Sequence, residues 1–286
     1  MKYTDYRCTG EVKLDAYPTG LGKAKVDKDE LVAQTEKNLE KIEQLQEMLY
    51  ADGRESLIVV LQAMDAAGKD STIKHVLSAV NPQGVDVYSF KSPSSDELSR
   101  DFLWRVNKCV PARGKIAIFN RSHYEDVLVV KVHKLQKTYH IAQRCIGDDF
   151  FQNRYKAIKH YEEYLYENGC RMIKIFLHVS KDTQKKRFLE RIEDKSKNWK
   201  FSSGDIKERE LWDKYQSAYE DAISATATEH CPWYVIPADK KWFTRYLVSE
   251  VVLDVLKRID PKYPELPDDE REKMEACRQA LNEEES

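Results

Sequence analysis

Six cysteines, at positions 8, 109, 145, 170, 231 and 277, form no C-x-x-C pair. Their spacing excludes a thiolate zinc site and a disulfide frame, and reads as small buried side chains in a reducing, cytoplasmic compartment. Long apolar runs are also missing: the longest, such as residues 57–61 and 127–130, are far short of the ~20 residues a membrane span requires. The opening Met1-Lys2-Tyr3-Thr4-Asp5-Tyr6-Arg7 lacks an apolar core, so no secretory leader is expected there. None of the seven histidines stands in an H-x-x-x-H pair, and none is assigned to metal or catalysis. Net charge is close to nil, with 47 Lys+Arg against 49 Asp+Glu. A secreted, membrane-spanning or cysteine-metal protein is thereby excluded.

The charge balance hides an asymmetry. Residues 181–200 carry eight basic and four acidic side chains, whereas residues 261–286 carry nine acidic and four basic. Either run would ordinarily be a solvated helix face. The basic one gains interest from its position, treated below.

A length of 286 residues with no internal repeat suggests a single α/β domain with appendages. Residues 1–27 read as an extended arm and 28–260 as the core. From Leu31 onward Leu39, Ile42, Leu45 and Leu49 recur every three or four positions, an amphipathic helix ending near Asp52-Gly53. Five short apolar runs, at 57–61, 85–90, 116–119, 172–178 and 233–236, read as buried strands separated mostly by helices. That alternation predicts a five-stranded parallel sheet covered on both faces. Ligands of such sheets sit beyond the carboxyl ends of the strands, so the residues just after each run are the places to search.

Directly after the first run stands Gln62-Ala63-Met64-Asp65-Ala66-Ala67-Gly68-Lys69-Asp70-Ser71-Thr72, with Ile73, Val76, Leu77 and Val80 following at helical spacing. Strand, Gly-Lys turn and helix form the context of a phosphate-binding loop. The amides of Ala66, Ala67, Gly68 and their neighbours, with the positive helix end, surround phosphate oxygens, and Lys69 adds a mobile charge. The match to G-x-x-x-x-G-K-[ST] is imperfect: Ala63 replaces the first glycine, and Asp70 displaces the hydroxyl of Ser71 by one. Asp65 would repel bound phosphates unless a divalent cation lay between them. It therefore reads as a magnesium (or manganese) ligand, or as the group that polarises the acceptor; the competing role is a helix N-cap. Lys74, one turn beyond Asp70, is close enough to contribute.

The third run leads into Phe119-Asn120-Arg121-Ser122-His123-Tyr124-Glu125-Asp126. Arg121 falls at the carboxyl edge of the sheet, where a planar guanidinium bridges two phosphates. Asn120 occupies a position where an aspartate would bring charge. Glu125 and Asp126 are placed on the following helix, one of them facing the metal or both serving as first-turn acids.

Together with Asn81-Pro82-Gln83-Gly84-Val85, Asn198-Trp199-Lys200-Phe201 and residues 232–239, these motifs resemble the polyphosphate kinase 2 family over roughly residues 30–260. The resemblance implies a P-loop kinase of thymidylate-kinase-like fold that moves phosphoryl groups reversibly between inorganic polyphosphate and nucleotides. The Asn-Arg-Ser-x-Tyr-Glu form is similar to the branch accepting nucleoside mono- and diphosphates. It also implies homodimers or homotetramers, for which the first long helix is a contact candidate, and a mobile lid over about 181–210. In that lid Arg187, Arg191 and Lys195 share one stripe, with Phe188 and Ile192 on the adjacent face. Arg187 and Arg191 would hold phosphates in transit, with Lys197 and Lys200 as further candidates.

Lys69, Lys74, Arg121 and the lid would supply the local cationic track a linear polyanion needs, distant acidic charge being screened beyond about 8 Å. Nucleic acid is not expected, because Trp199, Phe201 and Trp212 lack the interleaved pattern of a single-strand binder. The stretch 92–98 and the helix bearing Asp101, Trp104 and Arg105 are the candidate acceptor side, with Arg105 either on a phosphate or at the surface. Two other readings stand beside the first: an ATP-dependent nucleoside monophosphate kinase, and a non-catalytic sensor of nucleotide or polyphosphate.

Overall fold

A computed structural model describes residues 2–22, 25–76 and 80–284. In chain order its strands and helices are β1 (Arg7–Cys8), α1 (Lys28–Asp52), β2 (Ser56–Ala63), α2 (Lys69–Val76), β3 (Val85–Ser89), α3 (Ser95–Leu98), α4 (Trp104–Asn107), β4 (Ile116–Asn120), α5 (Val129–His133), α6 (Phe150–Glu167), β5 (Cys170–His178), α7 (Lys181–Glu193), α8 (Ser203–Glu210), α9 (Trp212–Thr226), β6 (Trp233–Pro237), α10 (Lys241–Ile259) and α11 (Asp268–Glu284). Leu77, expected on α2, lies outside the described residues.

The sheet has six strands in the order β1-β6-β5-β2-β4-β3. The five expected strands are parallel, whereas β1 pairs antiparallel to β6 through Arg7–Tyr234 and Cys8–Trp233. The first 27 residues are therefore more than an arm. Tyr6, Cys8, Val12 and Leu14 are buried, and burying such side chains contributes about 1.5–3 kcal/mol each. A two-residue strand is too short to leave a periodic signature, which is why it was not foreseen.

All eight residues of β2 are buried, as expected for a strand with neighbours on both edges and helices on both faces. One helical group, α1, α2 and α10, packs together; a second is formed by α5, α6 and α9. The N-terminus of α1 is capped by Asp27, whose Oδ1 accepts from the amides of Asp29 and Glu30. It ends at Gly53 in the left-handed region, φ 64°, a conformation glycine adopts without steric cost. Ile42 and Leu49 are buried against the body with Leu39 and Leu45 half-buried beside them, and Asn38 and Gln46 are buried on the same side. Asn38 donates to Ser249 and Glu250; Gln46 accepts from the Asn81 amide through its oxygen, while its buried Nε2 has no hydrogen-bond partner.

Beneath the site the core is not purely apolar. Lys174 of β5 is completely buried and donates to Glu162 and to the Thr226 carbonyl. Tyr124 donates to the other Glu162 oxygen at 2.8 Å. Burial alone would raise the Glu162 carboxyl, yet Lys174 and His123 hold it below its ordinary value. This ionic cluster ties α6, β5 and the 122–126 turn together, the turn that follows Arg121. Among the described residues no helix is long and apolar enough to cross a membrane.

Candidate active site

The carboxyl ends of β2, β3 and β4, with α7 and residues 196–200 opposite them, enclose a cleft of about 660 Å³. Its floor is the loop between β2 and α2. Here Ala66 and Gly68 both take positive φ, 60° and 112°, so the chain doubles back, with the Ala67 amide donating to the Met64 carbonyl at 3.3 Å. A non-glycine residue held in that region carries strain that persists only where surrounding contacts enforce it. Those contacts come from α7: the Arg187 guanidinium donates to the Ala66 and Ala67 carbonyls at 2.9 and 2.7 Å, and to Ala238 and Asp239 on the far side. Gln184 donates to the Asp65 carbonyl.

Lys69 donates to the Ala63 carbonyl at 3.0 Å, folding back over the loop. Burial, with the repulsion of Arg121 added, pushes its amine down to about 8, although Asp65, Glu125 and Asp70 pull the other way. Arg121 is the second strained residue, at φ 63°. Its amide donates to the Leu61 carbonyl, and its side chain bridges Asp65 at 2.8 Å and Glu125 at 3.1 Å. Glu125 above all holds this guanidinium protonated, against the opposing effect of burial. Across the cleft Asn120 donates to Asp70 at 2.9 Å, while the Lys200 amine stands 3.9 Å from the same carboxylate.

Asp65, Ala66, Ala67, Gly68, Lys69, Asp70, Ser71, Asn120, Arg121, Arg187, Arg191 and Lys200 all line this one cleft. Three candidates do not. Thr72 is buried in α2, Glu125 reaches the site only through Arg121, and Lys74 is exposed one turn down α2. The lining holds eight cationic side chains against three acidic ones, a surplus that suits a ligand bearing several negative charges. Lys91 and Lys241 belong to it and were not singled out from the sequence. Both stand where the strand-end rule points, two residues after β3 and four after β6.

Other expectations are corrected by local geometry. Residues His123–Asp126 form a single 3-10 turn and not the start of a helix. Asp126 faces away from the cleft, paired with Arg154 at 3.0 Å and Arg105 at 3.8 Å. Arg105 is accordingly a buried structural arginine, donating also to the Lys91 carbonyl at 2.7 Å. Helix α7 stops at Glu193 because Asp194 turns extended, its carboxylate accepting from the Ser196 amide and hydroxyl. Lys195 thus leaves the stripe shared by Arg187 and Arg191, and Ile192 is exposed while Phe188 is buried. Arg191 pairs with Asp205 at 3.0 Å, joining α7 to α8.

A magnesium ion needs only one or two protein carboxylates when phosphates and water complete its shell. Asp65 fits that demand: its side chain is 29% exposed, it faces the cleft, and its described contact engages Oδ1. No cluster of three or more His, Cys, Asp or Glu that would cage a metal occurs among the described residues.

The sequence profile of the family described as "Polyphosphate kinase 2" matches residues 25–264. An ADP-polyphosphate phosphotransferase of Rhodopseudomonas palustris is 44% identical over 273 residues, covering 95% of this chain and 94% of that protein. An AMP/ADP-polyphosphate phosphotransferase of Meiothermus ruber is 48% identical over 234 residues, 82% of this chain and 84% of its own length. The crystal structure of polyphosphate kinase 2 from Arthrobacter aurescens superposes with a TM-score of 0.87 at 37% identity, covering 96% of both chains. The family profile spans most of the chain, and both sequence and fold match along nearly its whole length, so this protein belongs to the polyphosphate kinase 2 family.

Proposed function

We propose that the protein transfers the terminal phosphoryl group of inorganic polyphosphate to AMP and ADP, reversibly and with magnesium. The observation that carries this reading is Asp65 held by Arg121 in a cleft otherwise lined chiefly by cations. Besides orienting Arg121, that carboxylate can share a cation with the incoming phosphates, and the surplus cations match a donor that is a chain of charged oxygens.

Phosphoryl transfer proceeds through a loose, charge-rich state, so placement and electrostatics supply most of the acceleration. Lys69 and the loop amides hold one phosphate chain. Arg121, fixed in orientation by Asp65 and Glu125, presents its remaining N–H edge to the group in transit. Arg191, Lys197 and Lys200 approach from the lid, while Arg187 shapes the loop on which the others act. Magnesium, when bound at Asp65, would neutralise charge shared between donor and acceptor oxygens. No covalent enzyme intermediate is invoked.

Supplying ADP and polyphosphate with no other donor should yield ATP, and AMP should yield ADP; omitting magnesium should abolish both. Asp65→Asn and Lys69→Ala should each lose activity while keeping the wild-type thermal transition. Near-normal turnover in either variant would sink the assignment of that residue. The reading includes a homodimer or homotetramer, measurable by light scattering. Because α1 spends its apolar stripe on α10, any contact through α1 must use its outer face.

A further inference from the structure

We infer that the cationic cleft continues onto the outside of the protein as a strip over the junction of α2 and α10, where Lys241, Arg245 and Lys74 take the distal phosphates of a long polyphosphate chain. This rests on the donor proposed above and extends it beyond the cleft.

Helices α2 and α10 both begin at the carboxyl edge of the sheet, at Lys69 and Lys241, run away from the cleft and pack on each other. Lys241 lines the cleft. Arg245 stands four residues on, on the same face, and Lys74 holds the equivalent place four residues after Asp70, each one turn or about 5.4 Å further out. The two meet around His75, whose imidazole is pushed below its ordinary value by burial, then by Arg245 and Lys74.

None of the three cations is compensated. Lys74, Lys241 and Arg245 have no carboxylate within ion-pair distance among the described residues, and the Arg245 Nε is buried without a hydrogen-bond partner. Around Lys241 the pull of Glu190 is opposed by Arg187, Arg245 and Lys197. Other cations are paired, as in Arg171–Glu55 and Arg258–Asp254; what sets these three apart is their succession outward from the cleft, beginning at Lys241 in its lining. Uncompensated cations repel one another in the free protein and gain only when an anion lies across them. A nucleotide has too few phosphates to fill the cleft and also reach a further helical turn. A polymer does.

The test compares tripolyphosphate with a long-chain polyphosphate as donor to ADP, in wild type and in Lys74→Gln/Arg245→Gln. The double variant should raise KM for the long chain about three- to tenfold, with kcat unchanged. The steepness of log KM against log salt should fall by roughly 1.4, the single-strand value for two lost phosphate contacts. KM for tripolyphosphate and the thermal transition should stay put. Equal changes for both donors, or none for either, would overturn the strip. Should wild type make no ATP from either donor, the activity reading fails on its own; calorimetric binding of the long chain to the two proteins would still decide the strip, equal affinities refuting it.

Discussion

Lys69 offers the sharpest quantitative test of the site. In the free protein its amine titrates at about 8, well below an ordinary lysine, because burial disfavours the charge and Arg121 adds to it. A bound phosphate chain reverses both influences by placing anionic oxygens against the ammonium. Binding should therefore take up protons: about 0.5 per site at pH 8 and about 0.9 at pH 9, if the bound amine returns to its usual range. Calorimetry of tripolyphosphate binding, repeated in buffers of different ionisation enthalpy, measures this number. Because the ligand's own terminal phosphate also titrates, Lys69→Arg, whose side chain keeps its charge throughout, serves as the baseline to subtract. A difference of zero between wild type and Lys69→Arg at both pH values would refute the reasoning. The same linkage sets a sign for stability. Between about pH 8 and 10.5 the unfolded chain holds more protons than the fold, so stability should rise with pH through that window, the cost being fully present below it.

Removing one member of the ionic cluster under the site leaves the other charge buried alone, so Glu162→Gln should cost about 3–5 kcal/mol in urea unfolding. Glu162→Leu combined with Lys174→Met should recover most of that loss, and a double variant as unstable as the single one would contradict the account. Gly114 stands at φ 86°, and an added Cβ would lie 3.0 Å from the Tyr50 carbonyl; Gly114→Ala should lower the thermal transition by several degrees without changing KM. Asp205→Ala releases Arg191 from its 3.0 Å pair and should alter kcat more than the melting temperature, a purely thermal effect counting against a lid role.

The frame of the molecule could be read from its apolar runs because parallel strands buried on both sides are continuous in sequence. The loop and Arg121 were legible for a related reason: each follows immediately on a strand, and the chemistry is concentrated in a few consecutive residues. What escaped was set by contacts distant along the chain. Strand β1 exists because β6 offers an edge over two hundred positions later. Arg105 and Asp126, which as isolated residues suggested ligand binding, are instead committed to each other and to Arg154. Lys91 and Lys241 carry no motif, and only the three-dimensional end of the sheet brings them beside Lys69. The departure of Lys195 from its stripe turned on hydrogen bonds of Asp194 that helical periodicity does not encode.

Arg187 has a mechanical consequence. Four carbonyls, two from the phosphate loop and two following β6, grip its guanidinium, so the root of α7 is riveted to the frame. Beyond that rivet the chain is tied back by lighter contacts, from Asn198 to the end of α7 and from Arg191 to Asp205. A floor held in this way keeps its shape whatever the segment beyond Asp194 does.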